Sequence, residues 1–239
     1  MDGTILFAKY AFMPNRLSYC GGDDNKALLD YCVANHTDPG LVFLLQRFEG
    51  AYPYLKLIAR ANHIPDPFDE RVVEAYWIGN ELLEGVDLAQ FYHSLRERFA
   101  KQLDPKTMGY LLGKAPQGAR AHHSFHVFDV RSRTGELDHS LDTMESCRIG
   151  WGRVKEVEAT HFVVEHQPLT LEGGQLKLGS LMDKRVLRQI DGTGFTPHCQ
   201  VGDYISFHWD WACDVLTPRQ VKNLEKYTQY HLSLANQTM

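Results

Sequence analysis

The chain has 239 residues, is 44% hydrophobic, and carries a net charge of -5 with a sequence pI near 6.2. That is material for one large domain or two small ones. It offers no basic surface for nucleic acid and no run of roughly 18 apolar residues for a membrane span.

The start, Met1-Asp2-Gly3-Thr4, lacks the basic residues and long apolar core of a signal peptide. The five cysteines are odd in number, widely spaced and free of any CxxC pair. Both features lead to the expectation of a cytoplasmic protein with reduced thiols.

The first 118 residues read as a bundle of about six helices joined by short connections. Residues 4–12 are apolar and aromatic, and Pro14 is expected to end a helix there. Asp23 and Asp24 suit the start of a second helix. Asp38-Pro39 opens a third whose apolar stripe runs to Ile58, with a kink expected at Pro53. Asp69, Asp87 and Asp104 cap three more. Glu49 and Glu74 are candidate buried carboxylates, although a solvated role is the commoner one. Cys20 and Cys32 read as small buried hydrophobes.

Residues 121–130, AHHSFHVFDV, alternate in a way that predicts a strand. His122 and His126 would then share a face, with His123 on the other, and would stand roughly 13 Å apart. One metal ion could not take both unless the strand bent. Residues 131–146 read as a long polar loop. From Cys147 the pattern is β, with short strands at 153–157, 161–165, 169–171, 176–178 and 204–209. Gly173-Gly174 marks a turn. Thr217-Pro218 starts a closing helix. The expected architecture is α+β. A helical domain over 1–118 precedes a small OB-like β-barrel domain over 119–239, with its core at 147–231 and a C-terminal helix closing it.

Two motifs in that core carry a resemblance. Cys147, Ile149, Gly152 and Val154 match an opening cysteine followed by an apolar stretch and a valine-led strand. Val201, Gly202, Asp203, Tyr204, Ile205, His208, Trp211 and Ala212 match a Val-Gly-Asp-Tyr-Val-x-x-His-x-Gly-Phe-Ala stretch. In this order and spacing they resemble the HypC/HupF family of nickel-iron hydrogenase assembly chaperones. Those are small barrel-and-helix proteins that escort iron carrying cyanide and carbonyl ligands between a maturation scaffold and the hydrogenase large-subunit precursor. The resemblance implies that Cys147 and His208 bind such iron transiently. In that family the cysteine directly follows the initiator Met. Here it is internal, so no terminal amine can join it as a ligand, and Trp151 and Asp210 replace a family proline and glycine.

The residue chemistry agrees, since thiolate and imidazole suit iron. Arg148 and Arg153 flank Cys147 and are expected to favour its thiolate. Arg148 and Trp151 are the candidate partner contacts. His122, His126 and His198 are further candidate ligands. Three readings follow: an assembly factor that carries rather than catalyses, a metal-dependent enzyme with an interdomain cleft lined by Cys147, His208 and the histidine segment, and a structural adaptor.

Overall fold

A computed structural model describes residues 1–131 and 140–237. The fold is mixed α+β. Helices occupy the first half, a closed five-stranded sheet and a small hairpin the second, and a long helix ends the chain.

Helix α1 (Gly3–Arg16) is the pillar. Every residue from Gly3 to Asn15 is buried, as suits a helix that is mostly apolar all round; the one charged residue in that span, Lys9, is paired with Asp214 at 2.9 Å. Around it stand α2 (Asn25–Ala34), α3 (Pro39–Gln46), α4 (Tyr52–Ala61) and α5 (Glu70–Trp77), followed by α6 (Leu88–Phe99) and α7 (Pro105–Lys114). The stripe expected to run unbroken from Leu41 to Ile58 divides into α3 and α4, with Pro53 in the first turn of α4. Asp38, Asp69, Asp87 and Asp104 each accept a backbone N–H at a helix start.

Pro14 does not end α1, which continues to Arg16. Proline in a helix interior removes the amide that would bond the carbonyl four residues back. Here that carbonyl belongs to Tyr10, and it is used by another residue.

The expected histidine strand is instead α8 (His123–Phe125), which runs on as a π-helical turn (His126–Val130). All its side chains are buried. Apolar residues surrounded on every side do not need the two-faced alternation of a half-buried strand, and burial overrides their β propensity. A buried ion pair, Lys114 to Asp129 at 3.3 Å, ties this turn to α7. Part of the expected loop is also helical: α9 (Leu141–Cys147) begins with Ser140 accepting the Thr143 amide. The remainder of that loop, residues 132–139, lies outside the described residues.

Strands β1 (Gly150–Val157), β2 (His161–His166), β5 (Met182–Leu187), β7 (Trp211–Leu216) and β6 (Tyr204–His208) pair in that order. β6 returns to β1, so the sheet closes on itself. The β5–β7 seam is a single parallel pair, Leu187 with Trp211. Gly150 is required where β1 meets β6, because a Cβ there would lie 2.1 Å from the Phe207 ring. Hairpin β3 (Leu169–Glu172) and β4 (Gln175–Leu178) turns on Gly173-Gly174, both at positive φ. It packs beneath α9 and α10 (Pro218–Asn236), burying Leu169 and Leu176 with Met144, Cys147 and Leu232.

The largest buried cluster joins residues of α1, α4 and α5 to Ile149, Trp211, Cys213 and Leu224. Helices and sheet share this core, and the candidate site lies where they meet.

Candidate metal centre

Three elements converge on one point. Cys147 ends α9, His208 ends β6, and His123 begins α8. One ligand atom from each lies within 4.8 Å of the others. All three residues are buried, none more than 4% exposed.

A two-residue turn sews two of these elements together. Trp209 and Asp210 link β6 to β7 with φ of 51° and 58°, a conformation that matches strand twist but strains residues other than glycine. The strain is held by side contacts. The Trp209 amide donates to the Ser146 carbonyl at 2.8 Å, Asp210 accepts from Lys184 at 2.7 Å, and Tyr19 stacks on the Trp209 indole at 4.2 Å. The bond to Ser146 places the end of β6 against the last turn of α9, so His208 meets Cys147.

His208 is oriented by the break in α1. Its Nδ1–H donates to the Tyr10 carbonyl at 2.7 Å, the group that Pro14 leaves without an amide. This bond fixes the tautomer and leaves Nε2 as the electron-pair donor. Nε2 is buried and has no hydrogen-bond partner among the described residues. Metal-binding histidines are held in this way, with one nitrogen bonded to a carbonyl and the other free for the ion.

His123 is held on both sides. Nε2–H donates to the Cys147 carbonyl at 2.8 Å, and Nδ1 lies 3.1 Å from the Tyr76 hydroxyl. Trp77 packs on it at 4.6 Å. For Nε2 to ligate an ion, the ring would have to leave the Cys147 carbonyl and take the opposite tautomer, with Nδ1–H donating to the Tyr76 hydroxyl.

Burial pushes the Cys147 thiol up to about 11, opposed by the charge of Arg131. Arg131 donates from Nη1 to Cys147 Sγ at 2.7 Å. The expected lowering by Arg148 and Arg153 is therefore not found. Arg153 is exposed, and Arg148 turns into a bidentate pair with Glu145 at 2.7 and 3.1 Å. Arg148 is only 1% exposed, so it offers no contact surface to a partner. Trp151 is half-buried, with the Arg148 guanidinium 5.6 Å from its ring.

Burial lowers His208 to about 4 and holds His123 well below its usual value. Both imidazoles are neutral near pH 7, as ligation requires.

The other candidates separate from this cluster. His122 caps α8 and stacks on His231 at 5.6 Å. His198 is exposed in the loop before β6. His126 lines a cavity of about 20 Å³ shared with Cys20, Tyr76, His123, Arg131 and His208, room for about one water. Cys199 and Cys213 are core residues. Glu49 is exposed, and Glu74 accepts from Arg219 and Gln220.

The donor set suits a soft transition ion. Tetrahedral coordination at the usual bond lengths places ligand atoms about 3.5 Å apart, so the cluster would contract by about 1 Å. The sequence pairs Cys147 with His208, and the structure brings their ligand atoms together; His123, expected in a strand, stands in a helix. The spacing of Ala121, Phe125 and Phe128 was the helical signal available for it.

The chain belongs to the Family of unknown function (DUF6390), which matches residues 1–239. No curated protein and no solved structure matches it.

Proposed function

We propose that this protein is an accessory factor of nickel-iron hydrogenase maturation. It holds iron as cargo and delivers it to the large-subunit precursor or a maturation scaffold. One observation supports this reading above the others. Cys147 and His208, the pair that the chaperone resemblance ties to iron, are 61 positions apart in sequence, yet their ligand atoms lie within 4.8 Å. The closed sheet with its C-terminal helix fits the OB-like barrel of those chaperones. His123 supplies a third donor where the small chaperones have a chain end. The five free thiols fit a reducing, cytoplasmic setting.

The ligands come from three separate elements, and the site is buried. Iron therefore enters and leaves only when these elements part. Such a site is built to hold and hand over rather than to turn over a substrate. Arg131, which donates to Cys147 Sγ at 2.7 Å, would offset the negative charge of the Cys147 thiolate in the loaded site.

The test is anaerobic loading with ferrous iron, followed by capture of the large-subunit precursor. Wild type should retain iron and precursor, and Cys147→Ala should lose both while keeping its circular dichroism spectrum. Unchanged binding by Cys147→Ala would refute the proposal.

A metal-dependent enzyme using the same donors is the second reading. It is favoured by the cavity beside His123 and His208, which would accommodate a metal-bound water. That reading requires turnover that depends on His126, whose Nδ1 is buried and unpaired among the described residues.

A further inference from the structure

We propose that Cys20 is a fourth ligand at this site, giving a two-thiolate, two-imidazole set for a divalent transition ion. The inference rests on the metal-binding reading and adds to it a residue from the other end of the chain.

Cys20 lies on the turn after α1, and the turn is built rather than loose. Asn15 Nδ2 donates to the Cys20 carbonyl at 2.8 Å and also to the Gly22 carbonyl. Ser18 and Gly21 have φ of 62° and 77°. Tyr19 stacks on Trp209, so the turn is docked on the hairpin that carries His208. Cys20 lines the same cavity as His123 and His208.

A second observation comes from the other side of that cavity. The Nε2 of His208 is buried and unpartnered among the described residues. Arg131 joins the two thiols, donating from Nη1 to Cys147 Sγ at 2.7 Å and from Nη2 to Cys20 Sγ at 3.4 Å. A single guanidinium serving two sulfur atoms is placed to offset the charge of two thiolates.

Cys20 is not among the three residues whose ligand atoms lie within 4.8 Å of one another. The Cys20 side chain must therefore swing inward on its docked turn as the ion binds, with the Arg131 fork sliding off the line between the sulfurs. Each thiol that ligates releases its proton to solvent, and the ion keeps its oxidation state. Two sulfur and two nitrogen donors match zinc or other tetrahedral ions. Such a closed set favours carriage over turnover, because catalytic sites keep a position open.

Cobalt(II) is the probe, titrated anaerobically into wild type, Cys20→Ser and Cys147→Ser, each checked for fold by circular dichroism. At equal occupancy, Cys20→Ser should show about half the sulfur-to-cobalt charge-transfer absorbance of wild type, because one of two thiolates is gone. It should also release one proton fewer per ion. Equal absorbance and equal proton release in wild type and Cys20→Ser would overturn the inference and leave a three-ligand site. No cobalt binding by wild type would overturn the metal reading itself.

Discussion

Replacing Pro14 by alanine should make the protein more stable and a poorer metal binder. Proline in a helix interior costs about 3 kcal/mol, through the missing amide and the clash of its ring with the carbonyl four residues back. Pro14 lies two residues before the end of α1, so alanine should recover a part of that, about 1–2 kcal/mol. The recovered amide would bond the Tyr10 carbonyl along the helix axis. That carbonyl now accepts from His208 Nδ1 at 2.7 Å. With the ring gone, it would tilt back toward the axis and away from the imidazole. Losing a bond that orients a metal-binding histidine typically weakens affinity about 10–100-fold, or roughly 1.4–2.7 kcal/mol. Urea denaturation of the metal-free protein gives the first quantity. Competitive cobalt titration gives the second. A variant that is more stable but binds cobalt within twofold of wild type would show that the break in α1 does not serve His208.

Other consequences follow from charges near the site. Glu145→Ala leaves Arg148 buried without its carboxylate and removes the acceptor of the Leu169 amide, 2.8 Å away. The expected loss is about 3 kcal/mol in urea denaturation, and a loss under 1 kcal/mol would contradict it. Acid should destabilise the metal-free protein well before its carboxylates titrate. His166 and His231 are lowered by burial to about 4, so between pH 6.5 and 4 the unfolded chain binds more protons than the folded one. Stability therefore falls as pH falls, by up to about 1.4 kcal/mol per pH unit for each such histidine. His231→Gln should flatten the slope by about that amount. An unchanged slope would mean that His231 charges freely in the fold.

Cys147 and His208 could be paired from the sequence, and the structure sets their ligand atoms within 4.8 Å. Cys147 and His208 stand at fixed places relative to β1 and β6, and closure of the sheet brings those strands together. His123 was hidden because the residues from His122 to Val130 alternate as a strand does. Their burial on every side, visible only once α5 and α10 are in place, makes them helical. The cation at the thiol was misassigned for a related reason. Arg148 is next to Cys147 in sequence, but Glu145 draws its side chain away, and Arg131 arrives from the end of the π turn. Neighbourhood along a chain does not fix side-chain direction. β5 escaped notice because Val186 is its one fully buried residue and charged Asp183, Lys184 and Arg185 dominate its pattern. Pro14 looks like a helix terminator in the sequence. Its actual effect, a carbonyl freed inside a continuing helix, depends on a histidine almost two hundred residues away.

Central to the proposed function is a single transition-metal ion held by His123, Cys147 and His208. X-ray absorption of the anaerobically iron-loaded protein tests it most directly. The predicted result is one iron per chain, with sulfur near 2.3 Å and imidazole nitrogen near 2.0 Å as typical bond lengths, and loss of the sulfur shell in Cys147→Ala. Iron with oxygen neighbours alone, or a sulfur shell that survives in Cys147→Ala, would contradict it.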